Sequence, residues 1–410
     1  MSLDKLNSAL LKDVAILKEE GRAKAPERII VDYIPPKNGT GPRYKLQGSD
    51  LKFIRMNSNA YLSLSNHPEM IKAADEATHK FGVGPGAVRF IDGTFNYHIE
   101  LEKSIAKFLD KPAAKIFNSA YTANLSLALT INHKQTYWIG DELNHNSIIR
   151  AMRIANVPRE NKGIYKHNNM DELKSCLENV PDSMERIVII FDGIFSMRGD
   201  YAPLDQISRF AEEYQDRFKD GVISVVDDSH GIGAYGQNGR GTEDFCNTKA
   251  DVVIGTFGKA FGVNGGFIAG SPELIEAVRQ KADTYIYTNP LSVADCAAAI
   301  KAVEIAGSSE GKERLKILNE RTLQFRDGVE ALGMESIPGP HPVVPVLVRD
   351  TAKTHQMVNG LFEKGILVVG LTFPVVPKGE ETMRFQINAA HTEMDINYAL
   401  GILNEVRKNT

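Results

Sequence analysis

The stretch VISVVDDSHGIGAYGQNGRGTEDFCNTKADVVIGTFGKAFG, residues 222–262, decides the fold. It contains two short runs of β-branched and other apolar residues, 222–226 and 252–254. Mostly apolar runs of this length are typical of strands that are buried on both faces of a parallel sheet. The stretch therefore predicts two neighbouring strands inside an α/β fold.

Polar side chains follow both predicted strands. The first run ends in Asp227 and Asp228, with His230 close behind, and the second is followed by Thr256 and Lys259 among glycines. In open α/β sheets, ligands bind outside the carboxyl ends of the strands. We therefore expect these side chains to face one pocket.

A lysine among small residues and an aspartate at the neighbouring strand end match the needs of pyridoxal phosphate. Lys259 suits the amine that holds the aldehyde as a Schiff base, and Asp227 suits the carboxylate that keeps the ring nitrogen protonated. His230 is placed to hydrogen-bond the ring oxygen or brace the carboxylate, and Thr256 to donate to the phosphate. Each residue alone also fits an ordinary role as a turn cap, a core histidine or a surface charge. Their combination favours the cofactor site.

The composition is that of a soluble globular protein. The chain has 410 residues, of which 42% are hydrophobic and 24% charged, with a formal net charge of -4. It is long enough for two or three domains and offers no basic surface for nucleic acid. Cys176, Cys246 and Cys296 are far apart and odd in number, which favours reduced thiols over disulfides or a metal site. With no membrane-length apolar run and no signal-peptide pattern, we expect a cytoplasmic protein.

Strand and helix patterns divide the chain into three parts. Apolar residues at helical spacing, followed by a segment rich in Pro and Gly, predict an N-terminal helix and connector over 1–56. Strands then alternate with helices, which predicts a mostly parallel sheet in a large cofactor-binding domain over 57–300. A small α+β domain with an antiparallel sheet is predicted over 301–410. Within this scheme we expect a loop over 285–290 and one strand over 366–369.

Four further places carry side chains suited to a ligand. Asn59 offers an amide to a substrate carboxylate, although an Asx turn explains it equally well. Residues 119–121 lie where a strand turns into a helix, which is either a phosphate site or an ordinary Ser N-cap. His145 precedes a helix, where an imidazole can stack on a pyridine ring. Arg384 lies in the last predicted strand and either pairs with a carboxylate or is a surface charge.

Together the motifs resemble those of the α-oxoamine synthases, pyridoxal-phosphate enzymes of fold type I that condense an amino acid with an acyl thioester. They occur in the family's order over about residues 50–400: GVGPGAVRFIDGT, LNHNSII, DGIFSMRGDYAPL, VVDDSHGIGAYGQNGRG, GTFGKAFG and PVVPKGEETMRFQINAAHT. VRFIDGT, DGIFSM and the last motif are most similar to glycine C-acetyltransferase. SNAY, YKHNNMDEL and VRDTAKTHQM are more similar to bacterial serine palmitoyltransferase.

The resemblance implies a homodimer with its active site at the subunit interface, and a role for each candidate residue. The residues that it assigns to the cofactor ring are Lys259 (the Schiff base), Asp227 (ring nitrogen), His230 (ring oxygen), His145 (stacked on the ring) and Ser196 (beside it). Those that it assigns to the phosphate are Ser119, Ala120, Tyr121 and Thr256, with Thr288 from the neighbouring subunit. Asn59 and Arg384 are assigned to the substrate carboxylate.

The resemblance also implies a pyridoxal-phosphate-dependent C-acyltransferase that uses an amino acid and an acyl-CoA. Glycine is the first-choice amino acid, and the product is a 2-amino-3-oxo acid or, after decarboxylation, an α-amino ketone. The alternative is condensation of serine or alanine with a longer acyl chain, as in serine palmitoyltransferase or 8-amino-7-oxononanoate synthase. Ser63 replaces a glycine usual in the family and Arg198 an acidic residue, so the acyl donor stays open.

A dinucleotide-dependent oxidoreductase is the main rival, because Gly231, Gly233 and Gly236 fit G-x-G-x-x-G. The pattern lacks its context, since polar residues separate the strand from the glycines and residues 237–239 interrupt the helix that should follow. A binding protein without catalysis is a second rival. Retention of both Lys259 and Asp227 argues against it.

Overall fold

The structure, a computed structural model, describes residues 3–373 and 375–410. Its helices are α1 (Asp4–Glu19), α2 (Pro68–Phe81), α3 (Asn96–Leu109), α4 (Ala120–Ile131), α5 (Asn146–Ile154), α6 (Met170–Glu178), α7 (Leu204–Tyr214), α8 (Thr242–Cys246), α9 (Pro272–Lys281), α10 (Asp283–Ile286), α11 (Val293–Ala306), α12 (Ser309–Ala331), α13 (Thr351–Glu363) and α14 (Glu393–Lys408). Its strands are β1 (Ile30–Ile34), β2 (Arg43–Leu46), β3 (Ile54–Arg55), β4 (Ala113–Phe117), β5 (Thr136–Asp141), β6 (Lys162–Tyr165), β7 (Arg186–Asp192), β8 (Val222–Asp227), β9 (Val252–Thr256), β10 (Gly266–Gly270), β11 (Val343–Leu347), β12 (Ile366–Leu367), β13 (Val369–Leu371) and β14 (Thr382–Gln386). Pro374, the first residue of the last motif, lies outside the described residues.

A seven-stranded sheet forms the centre of the molecule, in the order β4-β10-β9-β8-β7-β5-β6. Its neighbouring strands are parallel, except that β10 runs antiparallel to both β4 and β9. The predicted α/β fold with a mostly parallel sheet is confirmed. The two strands of the stretch 222–262 are β8 and β9, and they lie in the middle of the sheet.

Both faces of this sheet are covered, which explains why the strands are apolar on both faces. In β8, Val226 belongs to the hydrophobic cluster on one face and Val225 to the cluster on the other, and Ile189 and Ile190 of β7 divide in the same way. Successive side chains of a strand point to opposite faces. A strand covered on both faces therefore favours apolar residues along most of its length. The polar side chains of the candidate site lie at the strand ends.

The C-terminal part contains a separate antiparallel sheet in the order β11-β14-β13, as predicted. The expectation of one strand over 366–369 is wrong, because two strands of different sheets share this segment. β12 ends at Leu367 and pairs in parallel with β3, whereas β13 begins at Val369 and pairs with β14. The pairing of β12 with β3 joins the N-terminal connector to the C-terminal part. The division into domains at 56 and 300 stays a prediction.

Some elements differ from the sequence-based expectation. The expected loop over 285–290 begins as the short helix α10, and Tyr285 is buried. β6, α6 and α14 were not predicted from the sequence. β6 is an edge strand of only four residues, KGIY, without an apolar run. α14 begins with a capping box of Thr392 and Asp395, a signal that can be read from the sequence.

The predicted N-terminal helix is present as α1, and none of its residues is buried in the single chain. Its exposed apolar residues include Leu6, Leu10, Leu11 and Val14. The apolar stripe of α1 thus lies open to solvent in the single chain. No helix within 3–373 and 375–410 combines the length and the apolar character needed to cross a membrane.

Candidate active site

Three parallel strands end side by side at the carboxyl edge of the central sheet. Asp192 ends β7, Asp227 ends β8 and Thr256 ends β9. Asp192 and Asp227 are direct register partners across β7 and β8. Lys259 follows β9 in the next turn. The structure therefore brings the predicted Asp227, Thr256 and Lys259 to one edge, together with Asp192.

Asp227 is buried and held in a fixed orientation. One carboxylate oxygen accepts a hydrogen bond from Asn124 Nδ2 at 2.6 Å, and the other accepts from Ser229 Oγ at 2.6 Å and from the Ser229 N–H at 3.2 Å. Asn124 lies in α4, and its amide also contacts Ser147 Oγ at 3.1 Å. These neutral donors fix the carboxylate without supplying a counter charge. It is therefore available to a protonated ring nitrogen.

Lys259 lies in a tight turn. Gly262 has φ +71°, and a Cβ there would lie 2.5 Å from Ser65 Oγ, so the turn needs glycine at this position. Burial lowers the pKa of Lys259 to about 8, although the carboxylates of Asp227 and Asp192 oppose that shift. A larger fraction of the amine is therefore neutral near pH 7 than in an ordinary lysine. The neutral amine is the form that adds to an aldehyde.

A second buried carboxylate, Asp192, positions His145. Its Oδ2 accepts the His145 backbone N–H at 2.8 Å, and its own backbone N–H donates to Asn144 Oδ1 at 3.1 Å. The His145 ring is fixed through Nδ1, which lies 2.7 Å from Ser147 Oγ. Desolvation lowers the pKa of His145, which favours a neutral imidazole. A neutral ring held at the start of α5 is suited to stacking on a pyridine ring.

His230 is buried in a cluster with Tyr61 and His341, two residues that were not predicted from the sequence. Its Nδ1 lies 2.7 Å from the hydroxyl of Tyr61, which is fully buried. Burial raises the pKa of Tyr61 and lowers the pKa of His230 well below its usual range. The phenol therefore keeps its proton, and its contact of 2.7 Å with Nδ1, shorter than the 3.3 Å to Asn59 Oδ1, favours donation to the neutral imidazole, which leaves the proton of that ring on Nε2. His341, also buried, fixes the backbone, because its Nε2 lies 2.9 Å from the His230 carbonyl oxygen.

The predicted phosphate site lies at the N-terminus of α4. Ser119 caps this helix, with its Oγ accepting the Thr122 N–H at 3.1 Å. The first N–H groups of a helix have no partner within it, so those of Ala120 and Tyr121 are suited to an anion. Thr256 makes other contacts: its hydroxyl donates to the Gly265 carbonyl at 2.9 Å and accepts the Gly258 N–H at 3.0 Å. Donation from Thr256 to a phosphate would require a change of partner.

Thr288 lies close to the same helix of its own chain. Its Oγ1 is 3.4 Å from Nδ2 of Asn118, which also donates to the Asn289 carbonyl at 2.8 Å. Asn118 immediately precedes the N-cap of α4. Contact between Thr288 and the phosphate bound by a neighbouring subunit stays a prediction.

Gly266, at the start of β10, makes room for the N-terminus of α4. A Cβ on Gly266 would lie 2.2 Å from the Ala120 nitrogen, which the packed backbone cannot accommodate. We expect Gly266→Ala to displace the first turn of α4 and to weaken pyridoxal phosphate binding about tenfold, or about 1.4 kcal/mol. Fluorescence titration of the apoprotein measures the affinity. Gly401→Ala, where a Cβ has open space, is the control. Equal affinities of the two variants would contradict the prediction.

Asn59 and Arg384 come together although they are distant in sequence. Arg384 Nη2 lies 3.3 Å from Asn59 Oδ1, and the Gln386 amide packs against both, 2.9 Å from Asn59 Oδ1 and 3.1 and 3.2 Å from the two Nη groups. Burial lowers the pKa of Arg384. Its Nε is buried and has no hydrogen-bond partner among the described residues. A guanidinium with an unmet donor is suited to a substrate carboxylate.

A cavity of about 710 Å³ opens beside His145 and Ser196. This volume is in the range of sites that enclose a small-molecule ligand. The cavity lies between the large sheet and the C-terminal part, and its apolar lining residues include Leu143, Met197, Ile337, Leu347, Val375 and Val376. Charged residues also line it: Glu142, Arg198, Glu335, Arg349 and Glu380. Asn59 and Arg384 lie outside its lining, so it offers room for a second substrate.

The glycines of the G-x-G-x-x-G pattern serve packing in this fold. A Cβ on Gly231 would lie 2.1 Å from Asp228 Oδ1, and Gly233 and Gly236 have φ of +85° and +84°. The next helix, α8, begins only at Thr242, whose N–H and hydroxyl donate to the Asp228 carboxylate at 2.6 and 2.9 Å. A dinucleotide motif opens directly into its helix. The oxidoreductase alternative is therefore wrong.

A protein family, curated proteins and solved structures all match this chain over most of its length. Residues 52–403 match the aminotransferase class I and II family. The 8-amino-7-oxononanoate synthase of Thermosipho melanesiensis is 38% identical over 359 residues, which cover 87% of this chain and 89% of that protein. The enzyme of the same name from Petrotoga mobilis is 35% identical over 396 residues, 96% of this chain and 98% of that protein. A solved structure of a serine palmitoyltransferase variant from S. paucimobilis, with a bound PLP–myriocin aldimine, has a TM-score of 0.86 at 26% identity and covers 99% of this chain and 98% of that chain.

The sheet and the site at its carboxyl edge define a pyridoxal-phosphate-dependent transferase of fold type I. More narrowly, the chain belongs to the aminotransferase class I and II family, as an α-oxoamine synthase. The predicted family, fold class and cofactor are thereby confirmed. The relatives do not support glycine C-acetyltransferase, the first choice, and favour the alternative of a longer acyl chain. The role of each individual site residue remains a prediction.

Proposed function

We propose that the protein condenses alanine with a seven-carbon acyl thioester that ends in a carboxylate, which yields 8-amino-7-oxononanoate. In that product, carbons 8 and 9 correspond to alanine without its carboxyl group, and carbons 1 to 7 correspond to the acyl chain. The new bond joins the alanine Cα to the thioester carbonyl carbon, the thiol leaves, and the alanine carboxyl is lost as CO₂. Identities of 38% and 35% over most of the chain to enzymes of that name support this choice.

The observation that carries the cofactor chemistry is the convergence of Lys259 and Asp227 on one edge of the sheet. When bound, pyridoxal phosphate supplies a ring that withdraws electrons from the amino-acid Cα. Lys259 would hold the aldehyde. Asp227, oriented by Asn124 and Ser229, would hold the proton on the ring nitrogen. The neutral His230 would donate to the ring oxygen.

Arg384 and Asn59 would bind and orient the carboxylate of the amino acid. Orientation matters because a Cα–H bond breaks most easily when it stands perpendicular to the ring. Lys259 would then accept the Cα proton as general base, since a pKa of about 8 leaves part of its amine neutral near neutral pH. The same side chain thus serves in attachment and in proton transfer.

His145 would assist the acyl thioester, which the 710 Å³ cavity accommodates in this proposal. Ser147 Oγ, near His145 Nδ1, can donate to it, which leaves the imidazole proton on Nε2. That N–H would donate to the thioester oxygen as negative charge develops there. Ser196 lines the same cavity and would lie beside the cofactor.

We also propose that the protein acts as a homodimer with the active site at the subunit interface, in the cytoplasm, with an amino acid and an acyl-CoA as substrates. The exposed apolar stripe of α1 supports a partner subunit, as do the exposed side chains of Val83 and Phe90 in the glycine-rich segment 82–94. Apolar patches of this kind mark interfaces more often than free surface.

The test crosses glycine, alanine and serine with acetyl-, heptanedioyl-, octanoyl- and palmitoyl-CoA and follows thiol release by the purified holoenzyme. We expect the highest kcat/KM for alanine with heptanedioyl-CoA, about tenfold or more above the other pairs. A maximum for serine with palmitoyl-CoA would instead favour the activity named for the structural neighbours. A maximum for glycine with acetyl-CoA would restore the first-choice function. Either result overturns the proposal.

A further inference from the structure

We propose that His167 is a positioning residue for the acyl-transfer step: its imidazolium clamps the turn formed by residues 195–200 to the end of β5 and so shapes the acyl cavity. The inference rests on the function proposed above. Nothing in the family motifs assigns a role to this histidine, which lies in the segment YKHNNMDEL between β6 and α6.

Both ring nitrogens of His167 face carboxylates. Nδ1 lies 3.2 Å from Asp141 Oδ1, and Nε2 lies 3.0 Å from Asp200 Oδ2. The side chain is only 14% exposed and that of Asp141 is fully buried. The ring also meets the edge of Phe195, with centroids 4.3 Å apart. A neutral imidazole has one N–H, so only the protonated ring can donate to both carboxylates.

The clamped turn forms one wall of the acyl cavity. Its backbone is tight: the Phe195 N–H donates to the Asp200 carbonyl at 3.0 Å, and the Gly199 N–H to the Phe195 carbonyl at 2.8 Å. The residues at its tip, 196–198, line the cavity together with His145. Asn168 adds a second link, since its N–H donates to Asp141 Oδ2 at 2.9 Å and its amide donates to the Tyr201 carbonyl at 3.0 Å. Movement of Asp200 away from His167 would therefore move the cavity wall.

The carboxylates around His167 favour its protonated form, and they outweigh the nearby cation Arg198. It faces Asp141 and Asp200 directly. Asp200 Oδ2 also accepts from Arg198 Nε at 2.9 Å, and Glu142 Oε1 accepts the His167 backbone N–H at 3.0 Å. Asp200 Oδ1 is buried without a hydrogen-bond partner among the described residues, so this carboxylate depends on the donors at Oδ2.

The clamp has a predictable pH dependence. Burial lowers the pKa of His167, but the hydrogen bonds to Asp141 and Asp200 more than reverse this and raise it to about 9. The clamp is therefore closed across neutral pH, where a free histidine has already lost its proton. As the pH rises through about 9, the ring keeps only one N–H, so its hydrogen bond to one of the two carboxylates is lost and the clamp opens.

The test compares His167→Gln and His167→Arg with the wild type, using the acyl-CoA that proves best in the substrate matrix. Glutamine is neutral and carries both of its N–H groups on one nitrogen, so it cannot replace the two charged donors on opposite sides of the ring. We therefore expect the KM for acyl-CoA to rise about tenfold at pH 7.5, while the KM for the amino acid and the absorbance of bound cofactor stay unchanged. The wild type should approach this higher KM above pH 9. Arginine, a permanent cation, should restore the low KM and hold it above pH 9.

Calorimetric binding of a non-reactive thioether analogue of the acyl-CoA provides a readout that does not need turnover, and it should weaken by the same factor. His133→Gln is the matched control, because its ring lies 3.8 Å from the Asp220 carboxylate at the other end of β5. A wild-type KM and pH profile in His167→Gln would overturn the clamp, as would an equal rise in both KM values.

If His167→Arg does not fold, the wild-type and glutamine pH profiles still decide. A different best acyl donor would overturn the proposed function and leave the clamp standing, whereas no turnover and no analogue binding would overturn both.

Discussion

Lys259→Ala is expected to lower kcat for the condensation by about 10⁴-fold or more, because one substitution removes both the attachment point of the cofactor and the general base. The protein should also lose the visible absorption band that the cofactor shows when it is joined to a lysine. Thiol release with alanine and heptanedioyl-CoA measures the first effect, and a spectrum of the purified protein with pyridoxal phosphate measures the second.

Stability separates this loss of chemistry from a loss of folding. The pKa of Lys259 is lowered to about 8 by burial, so the unfolded chain binds the proton more tightly. The buried amine therefore costs stability below about pH 8, and this cost fades as the pH rises towards 10.5, the ordinary value for lysine. Lys259→Ala removes the cost, and we expect the melting temperature of the cofactor-free variant at pH 7 to equal or exceed that of the cofactor-free wild type.

Lys174→Ala is the control for this experiment. Lys174 is an exposed residue whose ammonium lies 3.8 Å from Glu213, a separation at which a surface ion pair contributes little. We expect wild-type activity and an unchanged spectrum from it. If Lys259→Ala kept both the visible band and turnover, the assignment of this lysine would have to be abandoned.

The fold was predictable because two buried strands and their polar ends lie within one stretch of sequence. The runs that became β8 and β9 are apolar on both alternating sets of positions apart from Ser224, which is typical of a short strand covered on both faces. β6 was missed because an edge strand has no such requirement. The segment 366–369 was misassigned because local sequence carries no information on which partner strand each residue meets, and here the partners are β3 and β14.

The two residues that the sequence pattern indicated most directly lie at or just beyond strand ends. Asp227 and Lys259 stand there, whereas Tyr61, Asn124 and His341 reach the site from distant segments. The hydrogen bonds of these three to His230 and Asp227 depend on the packing of elements that have no sequence relation to one another. The specificity for the acyl donor was harder still to predict from the sequence. The cavity next to His145 is walled by segments around residues 197, 337 and 376, and no single motif contains that combination.

Asp227→Asn is expected to lower kcat by about 10²- to 10³-fold, or about 3–4 kcal/mol of transition-state stabilisation. The neutral amide cannot hold a proton on the ring nitrogen, so the ring withdraws electrons from Cα less strongly. The carboxylate also accepts hydrogen bonds from Asn124 and Ser229. An amide satisfies these donors less well, so a loss of stability of about 1–3 kcal/mol should accompany the substitution.

Asp251→Asn separates these two effects. Asp251 precedes β9 at the opposite edge of the sheet, and its Oδ2 accepts the Ser224 N–H at 2.7 Å and the Ser224 Oγ at 2.8 Å, much as Asp227 accepts both donors of Ser229. We expect Asp251→Asn to lower the melting temperature and leave kcat within about twofold of the wild type. If both asparagine variants changed kcat equally, the carboxylate at 227 would act only through folding. A large difference in kcat at similar stability assigns Asp227 to the chemistry, because its position at the carboxyl edge is then the property that matters.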